Sequence, residues 1–253
     1  QPAILLHSAA VLRVLREESD IEPVITAGHS LGEYSALVAA EAVSAMDALK
    51  MVRRRGELMY KAGLEEPGTM AAIIGMERPE VEEICEQASG PDRIVVLANI
   101  NCPGQIVISG HVEAVKRAME TAAERGARKT VQLKVSGAFH SPLVSGAEEE
   151  LVSYIKSFDI KSTRIDVICN SDARAVRSSK AIIEALSKQL THPVLWSDSM
   201  KLMLNRWEGE IIEVGPGKVL AGLMKRIDRP RAVKTAGKAD ELKKLIAEAV
   251  DFV

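Results

Sequence analysis

The chain has 253 residues, a formal charge of −2 and an apolar fraction of 47%, with aromatic residues at only 3%. That length fits one large domain or a large and a small one, with aliphatic side chains filling the core. Interspersed acids and bases exclude the electrostatic footprint of a nucleic-acid or anionic-membrane binder, and no apolar run is long enough to span a bilayer. Cys85, Cys102 and Cys169 are odd in number and widely spaced, so neither a disulfide framework nor a zinc ligand set is expected, and the natural setting is a reducing cytoplasm.

The sequence opens on an amphipathic helix predicted over Pro2–Glu17, preceded by no basic, apolar signal region. A parallel α/β domain starting on a helix implies a further N-terminal segment in the native chain. An apolar strand, Pro23–Ala27, then runs into Gly28-His-Ser-Leu-Gly-Glu33 and a helix over Leu31–Ala40. The spacing Gly28-x-Ser30-x-Gly32 is that of a nucleophile elbow. A serine at a sharp strand-to-helix turn exposes its hydroxyl, the flanking glycines keep Cβ atoms out of the turn, and the Leu31 N–H at the helix start can face an oxyanion. The pattern alone arises by chance in about one such sequence in ten, and an ordinary strand-to-helix turn remains an alternative.

Ser44-Ala-Met-Asp47 starts a helix running to about Lys61. Arg55 falls on its apolar stripe, either snorkelling along its own stem or answering an anion. From Pro67 the pattern changes: strand Thr69–Gly75, helix Pro79–Ala88, a hairpin of Ile94–Asn99 and Gln105–Ser109 about the turn Asn101-Cys-Pro-Gly104, helix His111–Arg125 and strand Arg128–Val135. This β-α-β-β-α-β order predicts a ferredoxin-like small domain, residues 67–135, inserted into a larger α/β domain of residues 1–66 and 136–253. The loop Gly137-Ala-Phe-His-Ser-Pro142 leads into a helix over Ser145–Ser157. Next come strand Ile165–Asn170, helices Ala181–Leu190 and Trp196–Arg206 about the break Thr191-His-Pro193, strand Glu210–Val214, helix Lys218–Ile227, a short strand Ala232–Thr235 and helix Glu241–Val250. Strands alternating with helices predict a mostly parallel, doubly wound sheet, an α/β-hydrolase-like core.

A serine nucleophile needs a base, and the base an orienting acceptor. Of five histidines, His7 is on the first helix, His29 is committed to the elbow with its side chain turned from Ser30, and His111 starts a helix as a solvated cap. His140 and His192 remain, and His140, in a loop re-entering the large domain, is favoured. No carboxylate stands between serine and histidine where a hydrolase triad would put it, so the orienting group is a backbone carbonyl or the triad reading fails.

Together, Gly28-His-Ser-Leu-Gly-Glu33, Gly137-Ala-Phe-His140 and Glu213-Val-Gly-Pro-Gly-Lys-Val-Leu220 resemble the malonyl-CoA:acyl carrier protein transacylase family, over essentially the whole chain. The resemblance implies a malonyl transfer from malonyl-CoA to the phosphopantetheine thiol of an acyl carrier protein, through a malonyl ester of Ser30 with His140 as base, serving fatty-acid elongation. It implies Leu31 as an oxyanion N–H, the Gln189 main-chain carbonyl as the histidine's orienter, Arg55 as the carboxylate clamp, Gln1 beside that arginine, and Phe139 as the residue selecting malonyl over larger acyl groups. It implies no metal or other cofactor. A first strand and a Gly-Gln-Gly loop carrying the second oxyanion donor belong to the family's start and are expected upstream of Gln1. A serine esterase or thioesterase, and a non-catalytic acyl-CoA-binding module, are the competing readings.

Overall fold

The computed structural model describes residues 1–250. The first helix, α1, spans Pro2–Glu18 and presents Leu5, Val11 and Leu15 to the interior. Strand β1 (Ile25–Ala27), helix α2 (Gly32–Ala39) and helix α3 (Ala45–Glu65) follow. The Ser44 Oγ accepts from the Asp47 N–H at 3.0 Å and donates to the Asp47 carboxylate at 2.8 Å, a cap that starts α3 where the sequence places it.

Next come β2 (Gly68–Ile74), α4 (Arg78–Ala88), β3 (Val95–Cys102), β4 (Gln105–His111), α5 (Val112–Glu124) and β5 (Lys129–Gln132). They form one antiparallel sheet in the order β3-β4-β2-β5, the ferredoxin-like arrangement. Its own apolar cluster joins Ile73, Ile106 and Ile108 of the sheet to Val81, Ile84, Val115 and Ala118 of the two helices. His111 is not a solvated cap: its ring Nδ1 accepts from the Ile94 N–H at 3.0 Å and pins the hairpin's far end.

The chain then passes through a 3₁₀ turn (Pro142–Ala147) into α6 (Glu148–Lys156), so the α-helix starts three residues later than the sequence suggests, Pro142 and Gly146 favouring the tighter turn. Strand β6 (Asp166–Ile168) pairs in parallel with β1 and antiparallel with a two-residue strand, β7 (Ala175–Val176), too short and too polar in its flanks to be read from sequence. Helices α7 (Ser179–Gln189) and α8 (Trp196–Arg206), strand β8 (Ile211–Glu213), helix α9 (Val219–Ile227), strand β9 (Val233–Thr235) and helix α10 (Ala239–Val250) complete the fold. Strands β8 and β9 form a separate parallel pair.

Alternation along β6 shows the layering. Val167 packs with Leu37, Met51, Leu151 and Leu186 on one side, and Ile168 with Trp196, Met200 and Leu223 on the other. Helices therefore cover both faces, and the carboxyl ends of β1 and β6 come side by side, where an open α/β sheet places its site.

Candidate active site

The elbow follows directly from β1. Ser30 has φ of 50°, a left-handed backbone that strains a non-glycine residue. Asn170, two residues past the end of β6, holds it there. Its Nδ2 donates to the Gly28 carbonyl at 2.7 Å and its Oδ1 accepts from the Ser30 N–H at 2.6 Å. The two glycines of the motif are not equivalent. A Cβ on Gly28 would lie 1.9 Å from the Gly32 carbonyl oxygen, whereas one on Gly32 meets nothing within 4 Å. Gly28 thus supplies the close approach, and the expected steric need for Gly32 is not present. Gly28→Ala is expected to abolish the cooperative thermal transition, and Gly32→Ala to leave Tm unchanged or slightly raised, because alanine is the better helix former by about 1 kcal/mol. Asn170→Ala, leaving a buried N–H and carbonyl unpaired, should cost about 1–3 kcal/mol each in denaturant unfolding.

His140 meets the serine from the other side. Its backbone also has a positive φ, 57°, and its N–H donates to the Leu190 carbonyl at 3.1 Å. The ring Nε2 lies 2.8 Å from Ser30 Oγ. The ring Nδ1 lies 2.9 Å from the Gln189 carbonyl oxygen and 3.2 Å from that of His192. Carbonyls only accept, so Nδ1 carries the proton and Nε2 offers its lone pair to the serine hydroxyl. Burial, and after it the Arg55 charge, together push the His140 pKa down to about 3. The ring is therefore neutral at any working pH. His192, the competing histidine, contributes its main-chain carbonyl, while its ring bonds Thr191.

Arg55 is 1% exposed. Its guanidinium donates to Ser30 Oγ at 3.0 Å and to the Gln1 side-chain oxygen at 2.7 Å, while its Nε is buried without a partner. Among the described residues no carboxylate lies within ion-pair distance of it. Leaving water without a counter-ion is costly for this cation, and burial pushes its pKa down. Leu31 is the N-cap of α2, and its N–H has no acceptor among the described residues. Phe139 is half-buried where the large core and the four-stranded sheet meet.

The structure thus brings Ser30, His140, Arg55, Gln1, Leu31 and Gln189 together. Two residues escaped the sequence reading. Asn170 carried a usable signal, an Asn at the carboxyl end of a predicted core strand. Glu33 did too: it follows the serine by three residues and so falls on the buried face of α2, where it is 2% exposed. Its carboxylate accepts from Gln189 Nε2 at 2.7 Å. His29 turns from Ser30 as expected, its ring bonding Asn101 Oδ1 at 2.8 Å and packing on Trp196. Glu213 of the third motif caps α9, accepting from the Leu220 and Ala221 N–H groups at 2.9 and 2.7 Å. Among the described residues no group of three or more His, Cys, Asp or Glu is disposed to hold a metal ion.

Comparison with known proteins places the chain in a family. The acyl transferase domain family matches residues 1–244. A malonyl CoA-acyl carrier protein transacylase of Staphylococcus aureus strain MSSA476 is 43% identical over 229 residues, covering 90% of this chain and 73% of its own. The crystal structure of a malonyl-CoA:acyl carrier protein transacylase from Xanthomonas oryzae superimposes with a TM-score of 0.92 at 40% identity, covering 97% of this chain and 78% of that one. A malonyl-transacylase solved in complex with its type II PKS acyl carrier protein superimposes at 0.94 with 35% identity, over 98% of this chain and 80% of that one.

Proposed function

The chain belongs to the acyl transferase domain family as a malonyl-CoA:acyl carrier protein transacylase, and on that premise we propose that Ser30 and His140 carry the transfer, with Arg55 selecting the acyl group. The enzyme moves a malonyl group from malonyl-CoA to the thiol of an acyl carrier protein. The reading of the site rests above all on Arg55, a buried guanidinium beside the serine with no counter-ion among the described residues. An acyl group ending in a carboxylate supplies that ion and forms paired, charge-assisted hydrogen bonds with it.

In the first step Ser30 Oγ attacks the thioester carbonyl as its proton passes to His140 Nε2. The negative charge of the tetrahedral intermediate falls to the Leu31 N–H. The C–S bond breaks, and the coenzyme A thiolate takes the proton from the imidazolium. The malonyl-serine ester waits with its carboxylate on Arg55. In the second step the phosphopantetheine thiol gives its proton to His140 and attacks the ester, and Ser30 leaves with that proton returned. The Gln189 and His192 carbonyls stabilise the imidazolium less than a carboxylate would. A thiolate leaving group is a good one and tolerates that weaker base.

Gln1 would steady Arg55, and Phe139 would limit the acyl pocket. Residues 67–135 would form the inserted unit and residues 1–66 with 136–253 the catalytic one. Fatty-acid elongation in the cytoplasm is the proposed setting; three free, buried cysteines support the compartment, and among the described residues no helix is long and apolar enough to cross a membrane. Incubation with malonyl-CoA, followed by intact-protein mass spectrometry, should show a malonyl adduct that holo acyl carrier protein removes as malonyl-carrier. Free malonate released at the same rate without carrier would make the protein a thioesterase, and no adduct at all would make it a binding module.

A further inference from the structure

Glu33 is a buried carboxylate that the two-step transfer does not use. Among the described residues the other buried carboxylate, Glu213, caps a helix. Glu33 forms no ion pair among the described residues, and its side chain points away from its own helix toward α7. There it meets the Gln189 amide, whose nitrogen has two protons. One goes to Glu33 Oε2 at 2.7 Å and the other to the Ser30 carbonyl at 2.9 Å. The Ser30 carbonyl also accepts from the Glu33 N–H at 3.1 Å. The main-chain carbonyl of the same Gln189 holds His140 Nδ1, and His140 Nε2 returns to Ser30 Oγ. A closed ring therefore runs from the nucleophile through Glu33 and Gln189 to the base and back.

We propose that Glu33, in its ionised form, is a positioning residue of the acyl-transfer site, gripping the Gln189 amide and thereby the carbonyl that orients His140. The proposal rests on the assignment of Ser30 and His140 given above. The Gln189 amide nitrogen donates to the Glu33 carboxylate, and the Asn170 N–H, the Cys169 thiol and, from α3, the Arg55 charge also favour its ionised form. Tyr34, next along α2, feels its charge. An ionised carboxylate satisfies such a surround; a carboxylic acid, or an amide, sets a donor against donors. Burial pushes the Glu33 pKa up to about 7, against the opposing pull of those donors and Arg55. Glu33 thus takes up a proton, and the grip loosens, as the pH falls through neutrality. His140, held neutral, contributes no limb in that range.

A fluorophosphonate probe reads this without malonyl chemistry, since it phosphonylates an activated serine whatever the acyl preference. Labelling of Ser30, followed by intact mass between pH 5.5 and 8.5 with Ser30→Ala as blank, should fall about fivefold between pH 8 and 6 as the ionised fraction declines. Glu33→Gln should be about tenfold slower at pH 8 and flat across the range, and Gln189→Ala, which keeps the main-chain carbonyl, should also be flat. A wild-type profile flat through pH 7 overturns the proposal whether or not Glu33→Gln folds. A folded Glu33→Gln variant that keeps the wild-type rate, or is slow with the wild-type limb intact, overturns it too. Normal phosphonylation without a malonyl adduct would instead overturn the substrate assignment and leave the role of Glu33 standing.

Discussion

Ser30→Ala is expected to form no malonyl adduct, and His140→Ala to form it about 10²–10⁴ times more slowly. The asymmetry follows from the geometry. Without the Ser30 oxygen no covalent intermediate exists. Without His140 the hydroxyl keeps its Arg55 contact and the site keeps the Leu31 N–H for the oxyanion, so binding and oxyanion stabilisation persist while proton removal falls to solvent. Stopped-flow release of coenzyme A, read with intact mass, separates the two variants. A Ser30→Ala protein that still acquired malonyl would move the nucleophile elsewhere. With a His140 pKa near 3, the wild-type rate should show no limb from this base between pH 5 and 8. Folding stability carries the opposite signature at acid pH. A histidine buried neutral lets the unfolded chain bind more protons, so its contribution is present above about pH 6.5 and lost as the pH falls toward 3.

Much of this was legible in the residues because the signals were local. The glycine-serine turn, the Ser44 cap and the period-two strands each act within a few residues, and the ferredoxin-like order follows from their succession. His140 could be placed in a loop, but its positive φ and its Gln189 partner depend on contacts 49 residues apart. Arg55 was legible as an anomaly: a cation on an apolar stripe has to answer something. Gly32 misled, since the motif suggested a steric need that only Gly28 has. Glu33 and Asn170 were missed for a related reason. Their work is done on groups 156 and 140 residues away in sequence, which periodicity cannot supply.

The second large effect is expected at Arg55, in two directions at once. Arg55→Met should lower kcat/KM for malonyl-CoA by about 10²–10³ through loss of a buried charge pair with substrate, while transfer of acetyl from acetyl-CoA holds or rises. The same substitution should leave Tm no lower than wild type. A buried guanidinium without a carboxylate is a burden on the free protein, and replacing buried ionic groups by apolar side chains of similar volume is neutral or stabilising by about 1–4 kcal/mol. The two Arg55 hydrogen bonds, to Gln1 and Ser30, offset only part of that burden. There is also a consequence for the base. Arg55 is the second-largest influence holding His140 down, after burial. On the proposed assignment, a malonyl carboxylate paired with Arg55 would relieve that influence and make His140 more basic, whereas acetyl-CoA would leave the guanidinium uncompensated. Arg55→Met removes that difference, so the malonyl-over-acetyl ratio collapses from both ends. Steady-state kinetics with the two thioesters, beside thermal unfolding of the two proteins, check it. A variant that kept the full malonyl preference would remove Arg55 from substrate recognition, and one that lost ten degrees of Tm would make it a structural residue.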